Sequence, residues 1–463
     1  MKILLFFIFL LVCRNNLSSQ ACMIGDLTFS SDSDMKSFSA LYRNCDTLVG
    51  SIHIKGQNIT NLDSLYAIKN FNGDILIDSC ANLTSILGLK NLTNVHGSLT
   101  IKVCPLLKKL DGLQNLKRIV TLLVRINDSM DDVSALNKLN AVTGYFYVNQ
   151  CPQLRSLPSF DSLKRIGSMS ISKCGITTID GFNALDTVIA GPNILEYGLV
   201  FSLSELISCK GFNKLKNVGK PNPYSGHLLF EGGMYWQEFD AFHNLEIILA
   251  DLHIRNFTGE SIAAFQKLKS IEDYFSVFSC SNLKDLDNFS NLVEIMGSLD
   301  IHKCDSLKSI AGLKYITLKN YKISVKPDIR IMSNKNLYQC HIESICYHLA
   351  NPSKLGALSI TNNKEGCNSA DEILALCSVG VDPIIEDLNI KLSPNPFLTA
   401  ITVECQEKEV VNIYDSNGRK VLSREITQVE HSMDTSSLPN GIYLVKYMDE
   451  KGNSLIRKMI KME

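Results

Sequence analysis

Apolar and polar residues alternate along this chain in short bursts that recur at a fixed step. The bursts are Gly50-Ser-Ile-His-Ile54, Gly73-Asp-Ile-Leu-Ile77, Gly97-Ser-Leu-Thr-Ile101, Gly144-Tyr-Phe-Tyr-Val148, Gly167-Ser-Met-Ser-Ile171 and Gly297-Ser-Leu-Asp-Ile301, with Val120-Thr-Leu-Leu-Val124 keeping step in between. In the first block the step is 23 or 24 residues. A period of two over so few, largely β-branched residues predicts a strand with one buried face. One strand in a unit this short cannot bury its own apolar side. Stacked copies can, with Ile77, Ile101, Val124, Val148 and Ile171 forming one interior row. The expectation is an all-β parallel β-solenoid.

After each strand comes a cysteine followed shortly by leucine or isoleucine: Cys80-Ala-Asn-Leu83, Cys104-Pro-Leu-Leu107, Cys151-Pro-Gln-Leu154, Cys174-Gly-Ile176, Cys280-Ser-Asn-Leu283 and Cys304-Asp-Ser-Leu307. A second apolar set then follows, which reads as another short strand or turn. Together these motifs resemble leucine-rich-repeat solenoids, and more closely the receptor L-domain type, over roughly residues 45 to 377. The solenoid with its ends is placed at 22–377. Spacing loosens near 186–250, which leaves open one continuous solenoid or two lobes and adds a loop, Glu231-Gly-Gly-Met-Tyr-Trp236, with the single tryptophan. Of the helices, one short one is expected at Ile345 to Leu349.

The pattern changes beyond Cys377. Residues 378–391 read as a linker, and 392–463 as a small β-sandwich whose strands are bracketed by Asn-Gly turns. Leu392-Ser-Pro394-Asn395-Pro396-Phe397, Tyr414-Asp-Ser-Asn-Gly418, Leu438-Pro-Asn-Gly441-Ile-Tyr443 and the basic end strand with Lys458 occur in order. This segment resembles the type A C-terminal sorting domain of the type IX secretion system of Bacteroidetes. The resemblance implies export across the outer membrane, with the translocon and sorting machinery as partners. At the other end, Lys2 precedes ten apolar residues, Ile3 to Val12, and then small residues up to Ala21. That order predicts a cleaved signal peptide at 1–21, because ten helical residues cover only about half of the hydrocarbon core. The mature chain is then expected to have no transmembrane segment and to lie at the outer cell surface or be secreted.

Composition narrows the picture modestly. Of 463 residues 45% are hydrophobic and 20% charged, which excludes disordered and multi-spanning classes. With 46 basic against 47 acidic residues, nothing favours nucleic acid. Fifteen cysteines suit an oxidising compartment. Those in the repeats read as buried thiols. Cys22, Cys45, Cys340, Cys346, Cys367 and Cys377 flank the first and last rungs and are the candidates for cap disulfides.

No hydrolase, phosphate-loop or dinucleotide motif occurs, so no catalytic residue, metal site or cofactor is assigned. His53, His253 and His302 fall on outward strand positions, without a regular acidic partner on the next rung. The residue between the two inward positions gives the outward row His53, Leu76, Thr100, Leu123, Tyr147, Ser170, Val200, Leu229, His253, Ser276 and Asp300. Tyr145 with Tyr147, Tyr274 with Phe278, and Trp236 are the candidate contact residues for an extracellular protein or glycan ligand. The expected function is binding or adhesion. A surface hydrolase with a site near residues 231–240 and a structural envelope protein are the alternatives.

Overall fold

The computed structural model describes residues 20–188, 198–219, 227–320, 325–377, 391–394, 397–404, 409–415, 419–426, 430–449 and 454–462. Residues 1–19, within the segment expected to be a signal peptide, and most of the expected linker lie outside them.

Fourteen parallel strands pair in succession from Ala21–Ser31 to Leu358–Thr361, with local register shifts in the early rungs. The interior row reads Ile54, Ile77, Ile101, Val124, Val148, Ile171, Phe201, Phe230, Ile254, Val277, Ile301, Ile331, Ile360. All of these except Ile360 are inaccessible to solvent, and Ile360 is nearly so. Through 186–250 the strands pair in succession, from Arg165–Cys174 to Leu199–Ser202, Leu228–Glu231 and Leu252–Arg255.

The starting glycines are required by close approach. A Cβ on Gly73 would lie 1.9 Å from the Gly50 carbonyl oxygen, and one on Gly97 would lie 2.2 Å from that of Gly73, so only glycine lets successive rungs meet at this bend. At the opposite end of most strands the chain turns through a residue in the left-handed region, among them Ser79, Val103, Ile126, Gln150 and Lys173. The next side chain points inward. Where it is cysteine it is a buried free thiol, at Cys80, Cys104, Cys151, Cys174, Cys280 and Cys304. Burial foremost pushes the Cys280 thiol well up, which keeps it protonated. Three rungs carry asparagine instead. Asn127 accepts from Cys104 N (2.9 Å) and donates to Ile101 O (3.1 Å); Asn334 makes the same pair of bonds to Cys304 N and Ile301 O (both 2.9 Å). Asn363 continues the pattern, accepting from Asn334 N and donating to Ile331 O. These amides satisfy backbone groups that the corner strands would otherwise bury unpaired.

The second apolar set takes two forms. In the early and late rungs it contains single 3-10 turns such as Leu87–Leu89 and Ala311–Leu313, whereas in the middle it forms a three-stranded parallel sheet of Thr178–Ile179, Ser208–Gly211 and Glu238–Ala241. That middle region is held by a spine of Phe160, Phe182, Phe212, Phe242 and Phe265, stacked at 4.7, 4.9, 4.8 and 5.5 Å. Each of these residues has positive φ, a strain of roughly 1–2 kcal/mol. Full burial of a phenylalanine stabilises by ~1.5–3 kcal/mol and offsets it. Trp236 belongs to the same core. Expected in a solvent-facing loop, it has no exposed surface, packs 4.9 Å from Phe239 and 5.0 Å from Phe257, and donates from Nε1 to Glu238 O (3.1 Å). The apolar indole gains more from the interior than from a loop, and its one polar atom finds a carbonyl there.

Both ends are capped, with three α-helices where the sequence reading names one. Helix α1 (Asp32–Leu41) begins with a capping box in which Ser31 accepts from Asp34 N and Asp34 accepts from Ser31 N, and it buries Met35 and Phe38. Helices α2 (Glu343–Ala350) and α3 (Ala370–Cys377) close the other end. The disulfides are Cys22–Cys45, Cys340–Cys367 and Cys346–Cys377. Each closes a loop of 23 to 31 residues, which the chain-entropy account values at ~3–4 kcal/mol.

The C-terminal unit has a three-stranded and a four-stranded antiparallel sheet sharing a core of Phe397, Ile401, Val403, Val411, Ile413, Met433, Tyr443 and Val445. This core and that of the solenoid have no residue in common. Gly441 has φ +156°, and Tyr443 donates its hydroxyl proton to Pro439 O (2.6 Å). Lys461 is nearly buried and donates to Thr435 O (2.6 Å) and Ser436 O (3.1 Å). Of the sorting-motif positions, Pro394 is described and exposed, Asn395, Pro396 and Gly418 lie outside the described residues, and Lys458 stands in the end strand Ser454–Lys461.

Two predictions follow from the packing. Trp236→Ala should cost about 3–5 kcal/mol in denaturant unfolding, the range for an aromatic removed from a core, whereas an exposed loop tryptophan would cost little. His348 in α2 is 1% exposed and accepts from Leu318 N at Nε2 (3.0 Å), so it must be neutral there. Burial, with Lys354 adding to it, pushes its imidazole down to about 4 from 6.5. As pH falls the unfolded histidine takes its proton first, so the stability present above 6.5 is lost on the way to 4. The loss due to this residue should be on the order of 2 kcal/mol between about pH 7 and pH 5. His348→Gln, which keeps an acceptor but does not titrate, should show a correspondingly flatter unfolding profile over that interval; an unchanged slope would refute the assignment.

Candidate functional site

Side chains alternate across each strand, so one face of the sheet lines the core and the other is presented outward. The outward row expected from the sequence is the one the register builds: His53, Leu76, Thr100, Leu123, Tyr147, Ser170, Val200, Leu229, His253, Ser276 and Asp300 are paired in succession, and Arg330 and Ser359 extend it. A second outward row lies two residues earlier in each strand. It includes Ser98, Thr121, Tyr145 and Ser168, and further along His227, Asp251, Tyr274, Ser298 and Asp328, which the backbone bonds Leu228 N to Asp251 O, Leu252 N to Tyr274 O, Phe275 N to Ser298 O and Leu299 N to Asp328 O hold in step.

Two zones stand out on this face. In the first, Tyr145 and Tyr147 sit one in each row on the same strand, their rings stacked at 5.3 Å and half-buried, with Leu123 beside Tyr147 on the neighbouring rung. Asn149 donates to Ser172 Oγ (2.7 Å) at the margin. Stacking of the two rings on each other fixes both with little remaining rotamer freedom.

The second zone is polar. Asp251, only 9% exposed, faces His227 Nδ1 at 2.5 Å and His253 Nε2 at 3.4 Å through Oδ2, while its Oδ1 accepts from Tyr274 N (3.0 Å). Tyr274 in turn donates to Asp300 Oδ2 (2.7 Å), and Arg330 pairs with Asp328 at 2.8 Å. Burial acts to raise the Asp251 carboxyl, but the hydrogen bonds from His227, His253 and Tyr274 N outweigh it and hold the group well below the usual carboxylate range. The bond with Asp251 pushes the His227 imidazole up. Burial first, and then the bond to Asp300, push the Tyr274 phenol up. The zone therefore presents a charged, fixed network beside an apolar, aromatic one.

The structure brings the tyrosine pair together but separates Tyr274 from Phe278. Both face outward, yet Tyr274 packs on His253 (ring centroids 5.5 Å) while Phe278 meets the edge of His302 at 5.3 Å. Trp236 is not on this face at all. His253 does have the acidic neighbour that was not expected, and it comes from its own strand rather than from the next rung. His53 also lies 3.9 Å from Asp78 on the next rung. The signal for His227 and Asp251 was available in the sequence, since the same row-by-row alignment applied two residues earlier places them side by side.

No curated protein matches the chain. Residues 278–376 match the receptor L domain family, and residues 391–462 match the secretion system C-terminal sorting domain family. The first match covers the last rungs of the solenoid, and the strand ladder carries the same geometry back to the first. The chain thus carries, in order, a parallel β-solenoid whose last rungs match the receptor L domain family and a C-terminal segment that matches the secretion system sorting domain family.

Proposed function

We propose that the chain, whose C-terminal segment matches a secretion-system sorting domain, is exported by type IX secretion to the cell surface or the medium. We propose that it acts there as a binding or adhesion protein, with the outward sheet face as its ligand surface and the signal peptide at 1–21 as its route to the periplasm. The stacked Tyr145–Tyr147 pair carries this reading: two aromatic rings, pre-ordered by each other, sit on the open face of a rigid sheet. Rigid aromatics bury large area on binding at small entropy cost and commonly dominate the affinity of an interface. The occupant is an extracellular protein or a glycan. Trp236, a candidate contact residue for the ligand, fills the core instead and takes no part in this surface.

Probing arrays of glycans and extracellular proteins with the full-length mature chain identifies the ligand. The Tyr145→Ser/Tyr147→Ser double variant should bind it at least about tenfold more weakly, since one central contact is commonly worth ~2 kcal/mol, with nearly unchanged melting. Ile101→Ser, which buries a hydroxyl in the interior row, should instead lower stability. A double variant that binds normally moves the ligand surface elsewhere. Deleting 392–463 should leave a folded solenoid retained in the periplasm, because the two cores are separate; surface display at normal levels by the truncated chain would sink the export assignment.

A further inference from the structure

The polar zone contains a donor set that neither the ligand reading nor the family matches assign. His227 Nδ1, Asp251 Oδ2 and His253 Nε2 lie within 4.8 Å of one another on two adjacent rungs. From this geometry we infer that His227, Asp251 and His253 form a zinc site on the outward face of the solenoid, independent of what the tyrosine pair binds.

The donor types select the ion. Two imidazoles and one carboxylate suit a borderline divalent transition metal, while calcium and magnesium require oxygen ligands. All three ligand atoms lie within 4.8 Å of one another, and two of the separations can be compared with tetrahedral zinc. Bonds of ~2.0–2.1 Å place neighbouring ligand atoms roughly 3.3–3.4 Å apart. The His253 Nε2 to Asp251 Oδ2 distance is 3.4 Å. The His227 Nδ1 to Asp251 Oδ2 distance is 2.5 Å, that of a hydrogen bond whose proton the ion would replace, so this pair must open by roughly 0.8–0.9 Å. His227 is the member able to move, being about a third exposed and immediately preceding its strand, whereas Asp251 and His253 are largely buried.

A ligating carboxylate is usually aimed by a second hydrogen bond, and that bond is present: Tyr274 N binds Oδ1 and turns Oδ2 toward the two imidazoles. The Tyr274 ring backs His253, and its hydroxyl is tied to Asp300, so the wall on that side is fixed by the next two rungs. Three protein ligands leave at least one coordination position. Water or an oxygen of a bound partner completes the sphere.

The test uses the full-length mature chain, freed of metal by dialysis against a chelator. Zinc titration by calorimetry, with metal content measured after desalting, should give saturable binding of one zinc per chain and no comparable response to calcium. His227→Gln and His253→Gln should each weaken zinc binding about tenfold or more, and together abolish it, with far-ultraviolet circular dichroism unchanged. His227→Gln is the secure variant for folding, because its side chain is the most exposed of the three. Cobalt substituted for zinc should give a visible spectrum without a thiolate charge-transfer band, which separates this site from the buried cysteines. Failure to retain zinc, or binding that survives the double variant, overturns the inference and leaves the cluster as a hydrogen-bonded brace between rungs.

Discussion

Everything in the solenoid depends on in-register parallel pairing between neighbouring rungs. Strands ~4.8 Å apart must present the same kind of residue at the same place, because each interior side chain rests on its counterparts above and below. A slip of one residue would exchange every inward row for an outward one. That single constraint accounts for the glycine column at the strand starts, where the backbones touch, and for the cysteine and asparagine positions at the corners, where a small apolar or self-satisfying side chain is required. It also fixes the outward face, since a side chain with its Cβ on the open side has no other place to go.

The constraint explains why so much could be read in the sequence. The interior row and the outward row were legible as alternation plus a step, and the cap cysteines as departures from the step. What was not legible depended on contacts across rungs that spacing alone does not reveal. Trp236 follows two glycines in a polar context and reads as a loop, yet the phenylalanines that receive it come from Phe230, Phe239 and Phe257 on separate segments. Helix α1 is not legible despite its capping box, because its ten residues bury only Met35 and Phe38 and so show too little helical periodicity. The His227–Asp251–His253 cluster is hidden for a different reason: His227 and Asp251 stand two residues before Leu229 and His253, in the second outward row, so the first row alone does not bring them together.

The irregular middle of the array shows how the same rule tolerates variation. Rung length there rises to 30 residues, as between Phe182 and Phe212 and again between Phe212 and Phe242, yet these rings remain stacked. The axial spacing of these rings is unchanged by the longer rungs. Strained backbone at the phenylalanines is tolerated because the surrounding core over-determines it.

The terminal disulfides have a consequence for how the rod comes apart. In a one-dimensional stack each rung is stabilised by two neighbours, except the last at either end, which has one. Opening therefore proceeds inward from the ends like a zipper, and the interior is reached only after the outer rungs have frayed. Each disulfide here spans little more than one rung, so together they lock the two ends and leave the middle without covalent help. Thiol reductants would consequently act as a selective key. They would shorten the rod from its tips, first exposing the edges of the parallel sheet, while the stacked aromatic centre stays closed.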